Sequence, residues 1–264
     1  MSAKNLVTKV LVIMFMTMFS QHLLWAKETV AMSESVFRQL TTAQENLQKR
    51  QYNKAINVLN KLKSKKLSPY ESAQTWNLLG YVYLSMEKYP KAISSYQQVL
   101  KQKSLPEALE LSSLKTLSQL SLIAENYQAV LKYSKRLLDI MSEPDAKIYI
   151  DIAQAYYQLK LYTKARQYAK KGIKKKIDAG LVPDENWYLL LSAILHNLDN
   201  YKAMAAVLEK LVNFYPKLRY TENLSAVYGE LGKTKKQLSL NESLYENGYL
   251  KTTQQIQTLA NLYM

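Results

Sequence analysis

The chain is 264 residues long, carries 36 Lys and Arg against 21 Asp and Glu for a formal charge of +15, and contains no cysteine. With 48% hydrophobic residues it can bury a core, which excludes a disordered polyelectrolyte, and the missing thiols exclude disulfides, thiolate nucleophiles and most structural zinc sites. Its two histidines, His22 and His196, cannot assemble a metal cluster or a nucleophile with its base, so a non-catalytic chain without cofactors is expected.

Residues 1–31 open with Lys4 and Lys9, followed by an apolar run over 10–19 and then by polar and mixed residues that include His22. This is the layout of a secretory signal, and the apolar run is too short to span a bilayer comfortably. Cleavage fits after Ala26 or after Ala31; left uncut, the segment would anchor the chain to the inner membrane. A periplasmic location is expected in either case.

From Ser33 onward apolar residues recur with the period of a helix. A second signature sets Tyr three residues before a small or apolar residue, as Tyr52 with Ala55, Tyr89 with Ala92 and Tyr162 with Ala165. It returns more loosely as Tyr127 with Val130 and Tyr201 with Met204. Alignment on these pairs places repeat starts near 36, 73, 111, 146, 185, 218 and 253, and predicts an array over 33–264 of six helical hairpins and a last lone helix. Pro69, Pro106, Pro144, Pro183 and Pro216 fall between hairpins and Pro90 at the start of a second helix, so none interrupts a predicted helix. Ser68 to Glu71 and Ser104 to Glu107 each have the spacing of a capping box. Gly229 and Gly232 read as a helix-to-helix turn, not a phosphate loop, and Glu222 with Glu230 as a solvated pair.

The stretch from Trp76 to Leu100 is the clearest copy of the repeat. Trp76, Leu79, Gly80 and Tyr83 stand at the spacing W-x2-L-G-x2-Y, and Ala92 with Tyr96 follows as A-x3-Y. It resembles a tetratricopeptide repeat. The resemblance implies an all-α fold, a right-handed solenoid of antiparallel hairpins in which Gly80 and Ala92 sit where two helices cross closely. It also implies a concave face lined by positions 2, 5, 9, 12 and 13 of each first helix. Here those positions are Gln74, Asn77, Tyr81, Lys115, Gln119, Lys147, Gln154, Tyr157, Gln158, Asn186, His196 and Asn197. The set is polar and mostly uncharged with aromatic anchors, which suits a peptide held by amide hydrogen bonds and tyrosine contacts. The clamp that tetratricopeptide domains use for chaperone C-termini needs lysine and asparagine where this chain has Asn77 with Tyr81 and Lys115 with Gln119, so that role is not expected.

Further segments, from Ser33-Glu34-Ser35-Val36-Phe37 through Asn186-Trp187-Tyr188 to Leu259-Ala260-Asn261-Leu262-Tyr263, resemble a family of bacterial tetratricopeptide proteins proposed to accompany TonB systems. That likeness implies TonB, ExbB and ExbD as partners in iron uptake. A general assembly scaffold for envelope proteins is the first alternative, and a cytosolic basic adaptor contacting nucleic acid the second. Nucleic acid is not expected for the exported form, because the lysines form short runs at 61–66, 170–176 and 233–236 with no continuous stripe. Two of those runs lie at the ends of second helices, where lysine meets the helix C-terminus, and contact with the inner-membrane surface is the other reading of the runs. Ile256, Leu259, Leu262 and Tyr263 form an apolar stripe on the last helix. Either the array continues past Met264, or a partner or a second copy of the chain covers the stripe.

Overall fold

The computed structural model describes residues 32–264; the expected signal or anchor, with Lys4, Lys9 and His22, lies outside them. Thirteen helices and no strand occur among the described residues. They are α1 (Glu34–Gln48), α2 (Tyr52–Lys63), α3 (Pro69–Ser85), α4 (Tyr89–Val99), α5 (Glu107–Ile123), α6 (Tyr127–Ile140) and α7 (Ala146–Gln158). There follow α8 (Tyr162–Asp178), α9 (Glu185–His196), α10 (Tyr201–Phe214), α11 (Leu218–Glu230), α12 (Thr234–Glu246) and α13 (Thr253–Leu262). The fold is the expected all-α stack of hairpins with a last single helix.

The chain divides into two compact units, the first ending at Ala129 and the second being Val130–Met264. In the first, α1 pairs with α2 and α3 with α4, while α2 lies on α3, α4 on α5, and the first helices α1 and α3 touch side by side. In the second, α7 pairs with α8, α9 with α10 and α11 with α12. There α8 lies on α9, α10 on α11, α12 on α13, and the first helices α7 and α9 touch. The cores are leucine, isoleucine and tyrosine: Leu59, Leu79, Tyr96 and Leu117 in the first unit, Ile152, Tyr188, Ile194 and Tyr220 in the second, all fully buried. Each such side chain contributes about 1.5–3 kcal/mol on leaving water, which is why a lone hairpin is unstable and a stack is not.

The same turn closes every hairpin. Arg50, Glu87, Glu125, Lys160, Asp199 and Gly232, each two residues before the first residue of a second helix, adopt positive φ between 50° and 63°. Around each of them the first helix ends with paired backbone hydrogen bonds. For Lys160, its N–H donates to Tyr157 O at 2.9 Å and the next N–H, of Leu161, donates to Tyr156 O at 2.9 Å. This is a Schellman end, which satisfies two carbonyls that a helix terminus would otherwise leave open. Asn126 and Asn200 then cap their second helices through Oδ1, accepting from Ala129 N and Ala203 N at 3.1 Å.

Close helix crossings fall where the small residues are. A Cβ on Gly80 would lie 3.0 Å from the Tyr96 ring, and one on Gly172 would lie 2.8 Å from Ile150 Cδ1 and 3.0 Å from Ala146 O. Of the two expected capping boxes, Ser68 with Glu71 is formed at α3 and Ser104 with Glu107 is not. The reason is one of register: Glu107 is the first residue of α5 and Pro106 its cap, so the glutamate cannot reach back from a third helical position.

Candidate functional site

In the first unit Gln74, Asn77 and Tyr81 lie on one face of α3, and Lys115 with Gln119 on one face of α5, at the three- and four-residue spacing that keeps side chains together. Gln74 is half-buried and its Nε2 donates to the Tyr70 hydroxyl at 3.0 Å. Lys115 and Gln119 are half-buried. Asn77 and Tyr81 are only 7% and 9% exposed, so they offer far less surface than a groove residue should. Tyr81 stands in the neighbourhood of Tyr52 on α2 and Tyr96 on α4, and burial pushes its phenol above the ordinary range. Packing, not access, governs these two positions.

In the second unit the expected residues are more available. Lys147, Gln154 and Gln158 are exposed on one face of α7, while on the adjoining α9 Asn186 stands exposed in the first turn and His196 and Asn197 at the far end. Asn186 and Asn197 are eleven residues apart, about 16 Å along the axis. Two aromatic pairs repeat across the hairpins: the ring of Tyr157 lies 5.7 Å from that of Tyr162, and His196 lies 6.2 Å from Tyr201 edge-on. In both, a residue near the end of the first helix leans on the tyrosine that begins the second. Asn197 donates its amide to Ala193 O at 2.8 Å and so serves its own helix end.

Asp151 was not foreseen from the sequence. It is buried on the same side of α7 as Lys147, which donates to both carboxylate oxygens at 2.7 and 2.8 Å. Burial raises the Asp151 carboxyl, and the Lys147 ammonium opposes that shift. The four-residue spacing was the available signal. Glu185 was missed as well: it accepts from Lys217 Nζ at 2.7 Å, from Arg219 and from the Tyr220 hydroxyl, joining the starts of α9 and α11, and these donors hold its carboxyl down at about 2. In the first unit a cleft of about 290 Å3 opens beside Trp76, over whose ring Lys63 Nζ stands at 4.2 Å. Among the described residues no three of His, Asp and Glu gather as a metal would need, and no helix is long and apolar enough to cross a membrane.

Residues 73–104 and 146–174 each match the tetratricopeptide repeat family. No curated protein matches the chain in sequence. Among solved structures it is similar to MamA from Desulfovibrio magneticus, with a TM-score of 0.53 and 16% identity over 69% of this chain and 96% of that one. It is also similar to a tetratricopeptide repeat protein from Parabacteroides merdae, at 0.55 and 16% over 86% and 85%. A third is YrrB, described as a tetratricopeptide protein with an unusual peptide-binding site, at 0.54 and 15% over 69% and 87%. The chain is therefore a tetratricopeptide-type stack, a fold that serves as a protein-interaction scaffold.

Proposed function

We propose that this chain is a non-catalytic periplasmic adaptor that holds an extended or helical peptide segment of a partner protein against its first helices, chiefly α7 and α9. The observation that carries this is the exposed face of Gln154, Gln158, Asn186 and His196, amide and imidazole groups set beside the tyrosine pairs. Amides can both donate to and accept from a peptide backbone, and the rings add apolar area at little entropic cost. The description of YrrB supports a peptide as ligand.

The partners are TonB, ExbB and ExbD, a choice supported by the likeness of the Ser33-to-Phe37 and Asn186-to-Tyr188 segments to TonB-associated tetratricopeptide proteins. The N-terminal layout supports export, and the lysine runs support contact with the inner-membrane surface. A second copy of the chain is the proposed cover for Ile256 of α13 and Tyr263 at its end, both exposed while Leu259 between them packs on Leu244 and Leu250. Affinity capture from solubilised envelopes tests the assignment. Wild type retains the TonB components, and a chain with Gln154, Tyr157 and His196 changed to alanine, its helicity intact, loses them. Equal capture by both would move the site off α7 and α9.

A further inference from the structure

One edge of the second unit combines exposed apolar tips with lysine. Ile177 lies in the last turn of α8, Leu181 and Val182 are in the loop that follows, Phe214 ends α10 and Leu218 begins α11; they are 43%, 56%, 50%, 44% and 38% exposed. Tertiary bonds gather these segments. The Tyr215 hydroxyl donates to Pro183 O at 2.8 Å, fixing the loop against the end of α10, and the Phe214 ring stacks on Tyr188 of α9 with centroids 6.4 Å apart. Lys217 and Arg219 reach Glu185, which binds the start of α11 to the start of α9. The Leu181 N–H donates back to Lys176 O, so the loop is folded onto the end of α8 with its two apolar side chains outward.

Around these tips the charge is one-sided. Lys174 near the end of α8 holds Asp178 at 2.6 Å and Lys217 and Arg219 hold Glu185, and the remaining lysines of 170–176 leave a positive excess over Asp184. Isolated apolar side chains at loop and helix ends, with long basic ones on the adjoining helix ends, fit a surface that yields to projections and is negative at its rim. A bilayer does both: the tips enter the headgroup boundary while the lysine stems follow them and leave their ammonium groups at the phosphates. A protein partner would need a recess matched to each tip.

We infer that this edge, Ile177 with Leu181, Val182, Phe214 and Leu218 beside the lysines at the end of α8, is a docking surface for anionic phospholipid. The inference rests on the proposed contact with the inner-membrane surface and assigns it to apolar insertion at this edge rather than to lysine attraction alone.

The test is flotation of the full chain with vesicles of phosphatidylcholine, with and without phosphatidylglycerol. Wild type is compared with L181E/V182E, and L181S/V182S serves as a second variant without added charge. Both variants alter exposed loop positions, and both retain the N-terminal segment, so any difference reports the edge. Wild type should bind the anionic vesicles, L181E/V182E at least roughly tenfold less and L181S/V182S less than wild type. Wild-type binding should persist in part when salt is raised from about 0.1 M to about 1 M, which shrinks the Debye length from about 10 Å to about 3 Å. Binding that is equal in all three chains and vanishes in salt would overturn the inference and leave membrane contact to the lysines. No binding by wild type would overturn both and give the edge to a protein partner.

Discussion

Ser33 donates its backbone N–H at 2.9 Å and its hydroxyl at 2.7 Å to Glu71 Oε1, tying the entry of α1 to the first turn of α3. The same carboxylate accepts the Ser68 N–H at 2.8 Å through Oε2, so one buried side chain both closes a capping box and joins two hairpins.

These donors, the Ser33 hydroxyl first, hold the Glu71 carboxyl at about 2, against about 4.5 in an unfolded chain. A carboxyl depressed by folding contributes stability that is complete above the unfolded value and is lost as the pH falls through the folded one. Stability measured by denaturant should therefore decline between about pH 5 and pH 2, with a smaller decline in Glu71→Gln. At neutral pH, Glu71→Ala should cost about 2 kcal/mol, as loss of a cap and of charged hydrogen bonds requires. An unchanged acid profile in Glu71→Gln would show that other carboxylates dominate.

The hairpin turns give a prediction of opposite sign. Glu87 and Lys160 are exposed yet held at φ of 57° and 59°, where a side chain costs roughly 1–2 kcal/mol and glycine does not. Set against the freedom glycine has in the unfolded chain, Glu87→Gly and Lys160→Gly should each stabilise by about 0.5–1 kcal/mol. Asp199→Gly should gain less, because aspartate tolerates this region. Gly232→Ala should lose about 1 kcal/mol. Shifts in the denaturation midpoint without a change of slope would measure all four.

The helices were legible because tyrosine, alanine and proline recur in register, and the close crossing at Gly80 was legible because only a small residue survives against a buried Tyr96. The turns were not. In five of six the left-handed residue is not glycine, so the usual mark of a helix end is absent and only the recurring tyrosine two residues later betrays it. Nor could spacing show the tie between Ser33 and Glu71, which joins residues 38 apart. At the candidate site the register of α7 and α9 was readable, whereas the depth of Tyr81 depends on Tyr52 and Tyr96 from neighbouring helices. Tyr81→Ala should accordingly cost about 2 kcal/mol or more, the penalty of a core truncation.

Export is the next prediction. The basic start and short apolar run of residues 1–31 predict a mature chain that begins after Ala26 or after Ala31 and is recovered from the periplasm. Both cuts precede Ser33, so either product keeps the contact with Glu71. Mass spectrometry of fractionated cells reads the new N-terminus directly. An intact Met1 in the cytosolic fraction would overturn the compartment and favour a basic cytosolic adaptor.

Three helical glycines differ in what an added methyl group would strike, and this fixes the sign of each substitution to alanine. In an exposed helix interior the change gains about 1 kcal/mol of propensity. At Gly229 the obstacle is Gln237 Nε2 at 2.8 Å, the end of a flexible side chain that can swing aside, so Gly229→Ala should be neutral or stabilising. At Gly172 the obstacles are Ile150, which can shift, and the Ala146 carbonyl at 3.0 Å, which is backbone and cannot. Overpacking of about 1–3 kcal/mol should outweigh the propensity gain there. At Gly80 the obstacle is the ring of Tyr96, only 1% exposed and enclosed on all sides, so Gly80→Ala should also destabilise and Gly80→Leu should do so more strongly. Chemical denaturation of the three alanine variants orders them. Stabilisation at Gly80 or Gly172 would mean that α3 and α4, or α7 and α8, cross less closely than these distances require.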